Sequence, residues 1–212
     1  MITMNINDYK KSIFICILIN FSTQLIIAQE MKMDEHHPIH SSSKNIYLLM
    51  MDTMMIKMDN APATSMPDVD FMAAMIPHHQ GAIEMAKYEI GFGKNKEMVQ
   101  LAKSILAEQT SDIQLMKLLI SKLPAITKEP DKSFGNAMAQ SMNMMMKNMP
   151  SDDKLTDVDK SFAMVMVPHH QAAIDMAIAL IQYSASNQVS TFAKQLISQE
   201  QMEIEQMSAF IK

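Results

Sequence analysis

The chain is written twice. "MIPHHQGAIEMA", Met75 to Ala86, returns as "MVPHHQAAIDMA", Met166 to Ala177, at an offset of 91 residues. The same offset lays Met51, Met54, Met55 and Met58 on Met142, Met145, Met146 and Met149, and Phe71 on Phe162. It continues through Ala102 on Ala193, Lys103 on Lys194, Ile113 on Ile204 and Met116 on Met207, with no gap. A unit repeated in this way buries its apolar face against its own copy. The expected fold is therefore one body made of two equivalent halves.

Each half reads as helices. With 4 Gly and no Trp, the chain leans on Ala, Leu, Lys, Gln, Glu and Met, which favour helix. A short Met-rich helix is expected over about Lys44–Asp59 and Phe134–Met149. A second, carrying the motif, spans about Val69–Tyr88 and Val158–Ser184, with Asp68 and Asp157 placed as N-caps. A long third helix covers about Lys94–Lys122 and Asn187–Ile211. "GFG" at 91–93 closes the second helix of the first half, and "LPAITKEPDKSFGN", Leu123 to Asn136, links the repeats, about 44–122 and 134–212. The expectation is an all-α, ferritin-like four-helix bundle, with the short Met-rich helices packed against it.

Residues 1–28 have the pattern of a secretory signal: Lys10 and Lys11, the apolar "SIFICILINF", then "LIIA" ending at Ala28. The apolar run is interrupted by Asn20, Ser22, Thr23 and Gln24. That argues against a spanning helix, so no stable membrane insertion is expected after cleavage. The destination is the periplasm or the exterior. Cys16 lies inside this segment, so thiolates and disulfides are excluded from the mature chain. Residues 29–43, "QEMKMDEHHPIHSSS", read as a flexible leader offering Met31, Met33, His36, His37 and His40. Every basic residue is Lys. The Arg forks that read bases and phosphates are missing, and a nucleic-acid partner is not expected.

At about 100° per residue, Met75, His78, His79, Ala82, Met85 and Ala86 share one face of a helix, while Glu84 points away. Met166, His169, His170, Ala173, Met176 and Ala177 repeat that face. Pro77 and Pro168 precede the His pairs, so each helix either bends there or begins there. The third helices place Gln109, Asp112, Glu200 and Glu203 among apolar positions. Buried polar groups need partners, and the His rings are candidates, directly or through their ring N–H groups. Paired His flanked by Met suggests a metal site. Thioethers select Cu(I) and Ag(I), and imidazole suits Cu(II) and also Zn; a Met/His set in an exported chain without Cys reads as copper. Met54, Met58, Met145 and Met149 are further candidate ligands, although a Met stripe at helical spacing also serves as core.

The blocks "FMAAMIPHHQGAIEMA" and "FAMVMVPHHQAAIDMA", followed by "LAKSI" with "QTSDIQLM" in the first half, resemble the domain-of-unknown-function 305 family over about residues 44–210. Some of its members are periplasmic copper-binding proteins. The resemblance implies a two-half ferritin-like bundle and a role in copper binding and resistance. It carries metal binding onto Met75, His78, His79 and Met85, and onto Met166, His169, His170 and Met176. One departure stands out: Gln109 on the third helix becomes Glu200 in the second half. The leading expectation is a non-enzymatic copper carrier or sequestering protein, binding Cu(I) in preference to Cu(II), with Ag(I) as surrogate and a copper-exporting or copper-accepting protein as possible partner. Two alternatives remain: a di-iron oxidase or peroxidase, and a helical interaction protein without metal. A di-iron centre wants Glu-x-x-His on facing helices, and neither His pair is preceded by it.

Overall fold

The computed structural model describes residues 44–123 and 131–212. The segments expected as signal and leader, residues 1–43, and residues 124–130 of the expected linker lie outside the described residues. Six α-helices follow in order: α1 Ile46–Asp59, α2 Pro67–Phe92, α3 Lys96–Lys122, α4 Lys132–Asn148, α5 Val158–Tyr183 and α6 Asn187–Ile211. A 3-10 turn at Asp152–Lys154 joins α4 to α5. No strand occurs among the described residues. Helices α2 and α5 are offset by 91 residues at both ends. The repeat in sequence is therefore a repeat in space.

Side chains set most helix starts. Asn45 accepts from Tyr47 N, Asn95 from Glu97 N and Met98 N, Asp131 from Ser133 N and Phe134 N, and Asp157 from Lys160 N. Each satisfies backbone donors that a helix leaves open at its first turn. Asp131 also starts α4 at Lys132, so the last residues assigned to the linker are helical. Asp68 departs from expectation. It is not the N-cap of α2, because Pro67 takes the first helical position and Met66 the cap, leaving Asp68 inside the first turn. The C-terminus of α2 also differs: Gly91 and Phe92 are helical, and Gly93 ends the helix in an extended conformation. Pro77 and Pro168 lie inside helices that run through them, so the His pairs sit mid-helix.

Helices α2 and α3 form one antiparallel hairpin, α5 and α6 the other, and α2 packs on α5 between them. α1 lies on α2, and α4 on α5. The core is built from Phe71, Met72, Phe162, Ile105, Leu180 and Leu196, with Tyr47 and Phe134 from the short helices. Met51, Met54 and Met58 of α1 are buried, as are Met142 and Met145 of α4. Met146, expected in the same stripe, is 43% exposed. Gly81 admits the side chain of Met54, since a Cβ there would lie 2.9 Å from Met54 Sδ. Helix α5 is long and apolar enough to cross a membrane, and most of its apolar stretch is buried within the bundle.

The two halves hold each other reciprocally. Asp159, in the first turn of α5, accepts from the backbone N–H groups of Lys94 at 2.9 Å and Asn95 at 2.8 Å, ahead of α3. Asp68, its equivalent in α2, accepts from Ala185 N at 3.1 Å and from Ser184 Oγ, ahead of α6. Each aspartate thus anchors the loop of the opposite hairpin.

Candidate metal centre

All eight residues of the duplicated face are fully buried: Met75, His78, His79 and Met85 on α2, and Met166, His169, His170 and Met176 on α5. Ala82 and Ala173, also inaccessible, let the two helices approach closely. Glu84 faces solvent and pairs with Lys87 at 2.8 Å, as the helical geometry requires.

The two His pairs meet. The rings of His78 and His169 lie 3.8 Å apart, centroid to centroid, and are inclined by 31°. His79 and His170 flank them at 6.4 Å and 5.8 Å from their chain neighbours. Behind the flanking rings stand carboxylates of the third helices: Glu203 Oε2 is 2.7 Å from His170 Nε2, and Asp112 Oδ2 is 3.6 Å from His79 Nε2. Gln109 and Glu200 lie at the same layer, where Glu200 acts on His170 through its charge. They bond each other, Gln109 Nε2 donating to Glu200 Oε1 at 2.9 Å. Residues 78 and 169 are repeat equivalents, and so are 109 and 200. Residues on the axis between the halves meet their own copies, and the flanking His residues stay within their own hairpin.

Burial pushes His78 and His169 well below the ordinary imidazole range, and the neighbouring His rings add to it. They are therefore neutral at pH 7, and their lone pairs are free without loss of a proton. Burial also opposes charge on His170, but Glu200 and Glu203 outweigh it and raise its pKa. Burial raises Glu200 against the pull of His170. No ring nitrogen of the four His makes a well-aligned hydrogen bond, and Glu200 Oε2 and Gln109 Oε1 also lack partners. Such groups cost about 1–3 kcal/mol each when left unsatisfied in a core. Among the described residues, no three His, Cys, Asp or Glu side chains are gathered closely enough to hold a metal by themselves.

The other candidates are scattered. Met54, Met58 and Met145 are core residues of the short helices. Met149 caps α4 and lines a surface groove with Met164 and Pro168. Met31, Met33, His36, His37 and His40 lie outside the described residues. Helical phase alone does not reveal the mutual pairing of Gln109 with Glu200, although both are polar residues at equivalent repeat positions on an apolar face. Nor does it reveal Glu108 and Met202, which line a groove with Glu203.

A duplicated helical bundle with a layer of imidazoles where its halves meet defines the class. The family model for the domain of unknown function DUF305 matches residues 20–120 and again 68–211, so the chain belongs to that family. Among solved structures, CopM with silver bound is 26% identical, with 68% of this chain and 93% of that one covered and a TM-score of 0.52. CopM with Cu(I) bound is 27% identical, covering 68% and 94%, at a TM-score of 0.50. A DUF305 fragment from Deinococcus radiodurans, 19% identical with 71% and 98% covered and a TM-score of 0.51, shares the fold. CopM has also been solved with Cu(II) bound. No curated protein matches the chain.

Proposed function

We propose that this is an exported copper-binding protein that sequesters or carries copper outside the cytoplasm, without turnover. The observation that carries the reading is the contact of His78 with His169 in a core where the ring nitrogens of both lack hydrogen-bond partners. Neutral imidazoles with free lone pairs are suited to ligate a metal, and the buried Met75, Met85, Met166 and Met176 on the same two helices carry soft thioether donors. Sulfur with neutral nitrogen selects Cu(I) first, accommodates Cu(II), and accepts Ag(I) as a surrogate. The silver-, Cu(I)- and Cu(II)-bound forms of CopM support copper and silver as the ions bound. His79 and His170, oriented by Asp112 and Glu203, complete the donor set, with Gln109 and Glu200 holding the layer together. Met31, Met33, His36, His37 and His40 in the leader, with Met54, Met58, Met145 and Met149, are proposed as secondary ligands that collect the ion at lower affinity.

The test is anaerobic Cu(I) titration of the protein against a competing chelator, with metal analysis of the purified chain. Tight Cu(I) binding that is lost in the His78→Ala/His169→Ala variant, with helicity retained by circular dichroism, is expected. An absence of Cu(I) binding overturns the reading. Iron co-purifying at two per chain would replace it with the di-iron alternative.

A further inference from the structure

Two grooves run along the seam between α3 and α6, and the repeat makes them counterparts. The first, of about 500 Å³, is lined by Glu97, Ser104 and Glu108 from α3 and by Met202, Glu203 and Gln206 from α6. The second, of about 390 Å³, is lined by Leu115, Leu118 and Leu119 from α3 and by Gln188, Thr191 and Phe192 from α6. Where the first has Glu97 and Gln206, the second has Gln188 and Leu115. The first groove carries the carboxylates Glu97, Glu108 and Glu203 against one Lys96. Among the described residues, the only charged one lining the second is Lys122. The repeat places the two grooves at equivalent positions, and the first is the one lined by carboxylates.

That groove also leads to the imidazole layer. Glu203 lines it and is only 6% exposed, and its carboxylate lies 2.7 Å from the inaccessible His170. One turn earlier on α6 is Glu200, 2% exposed, with Oε2 unpartnered. Met202, 54% exposed, is a further residue lining the same groove and carries a thioether.

We propose that this groove is the port through which the metal cation is loaded. Met202, Glu108 and Glu203 form a surface donor site of one thioether and two carboxylates, from which the ion passes by way of Glu203 to His170 and the layer behind it. The proposal rests on the copper-binding reading. A bare ion is very costly in a dry core, so its water must be replaced donor by donor, and the groove supplies donors in that order. A cleft lined by one sign of charge raises association rates by about 10–10³-fold. The described residues lining the counterpart groove offer neither a carboxylate nor sulfur.

The experiment follows the rate at which the full chain takes Cu(I) from a coloured Cu(I)–chelator complex by stopped flow, and the rate at which the loaded protein gives it back. Glu108→Gln/Met202→Leu is compared with wild type and with Gln188→Leu/Thr191→Val in the other groove. The port variant is expected to load and release about tenfold more slowly, with unchanged stoichiometry and little change in affinity. The control is expected to match wild type. A port lowers the barrier in both directions, whereas a structural defect shifts the affinity. Wild-type rates in the port variant, or equal slowing in the control, overturn the port and leave the copper reading standing. If wild type takes no Cu(I), both fall, and the wild-type trace alone reveals it.

Discussion

At Gly93 the first half of the molecule lacks the hydroxyl that Ser184 supplies to the second. Ser184 Oγ donates to Asp68. A Cβ on Gly93 would collide with the Glu89 carboxyl, which occupies the equivalent space. Glu89 is inaccessible, accepts from Tyr47 OH at 3.1 Å, and has Oε1 unpartnered. Burial, reinforced by Asp159, pushes Glu89 up to about 8, with Tyr47 opposing and Asp157 adding slightly. A protonated Glu89 donates to Asp159 as Ser184 does to Asp68. Its folded pKa is above the ordinary 4.5. Below pH 4.5 folded and unfolded chains both hold the proton. Between there and about pH 8 the unfolded chain releases it first, so stability falls as pH rises, by on the order of a few kcal/mol. Glu89→Gln keeps a donor at every pH. The variant is expected to gain on wild type between pH 5 and pH 8 in thermal melts, and parallel pH profiles of the two proteins would refute a protonated Glu89.

At the level of elements, the helices were legible and their joints were not. The apolar period and the 91-residue offset located all six helices among the described residues to within a few positions. What escaped was a contact between halves. Asp68 looks like a cap when read along the chain, but Pro67 already starts the helix and frees the carboxylate for the loop before α6. "GFG" reads as a stop, yet the space at Gly93 is there for Glu89. Asp157 and Asp159 separate the two roles in one helix. Asp157 caps α5 through Lys160 N at 2.9 Å, and its loss should cost about 1 kcal/mol. Asp159 holds the N–H groups of Lys94 and Asn95, as well as receiving Glu89. Asp159→Ala strands those donors, and a loss of about 2–3 kcal/mol is expected. Urea denaturation of the two alanine variants measures the difference; equal midpoints would mean that the inter-hairpin anchor contributes no more than a local cap.

For the whole molecule, the duplicated face announced four inward His, but not that two of them would touch. Helical phase gives a direction within one helix, and the contact depends on where the axis between the halves falls. Because His78 and His169 are repeat equivalents lying 3.8 Å apart, that axis passes between them. The proposed centre is then one shared site rather than two, and this has a consequence in stoichiometry. With separate sites, His78→Leu would remove half of the tightly bound Cu(I) and His169→Leu the other half. With a shared site, either substitution removes all of it. The same variants are informative without metal. Each replaces a buried ring whose nitrogens have no partners by an apolar side chain of similar bulk, which is close to neutral or stabilising in a core. The apo variants are expected to melt at or above the wild-type temperature. The rise in melting temperature on adding Cu(I), which for wild type grows with free metal above its Kd, should vanish in both. Half-loss of binding in each single variant would divide the centre in two. A sharp drop in apo stability would show that the rings are packing elements and not ligands held ready for an ion.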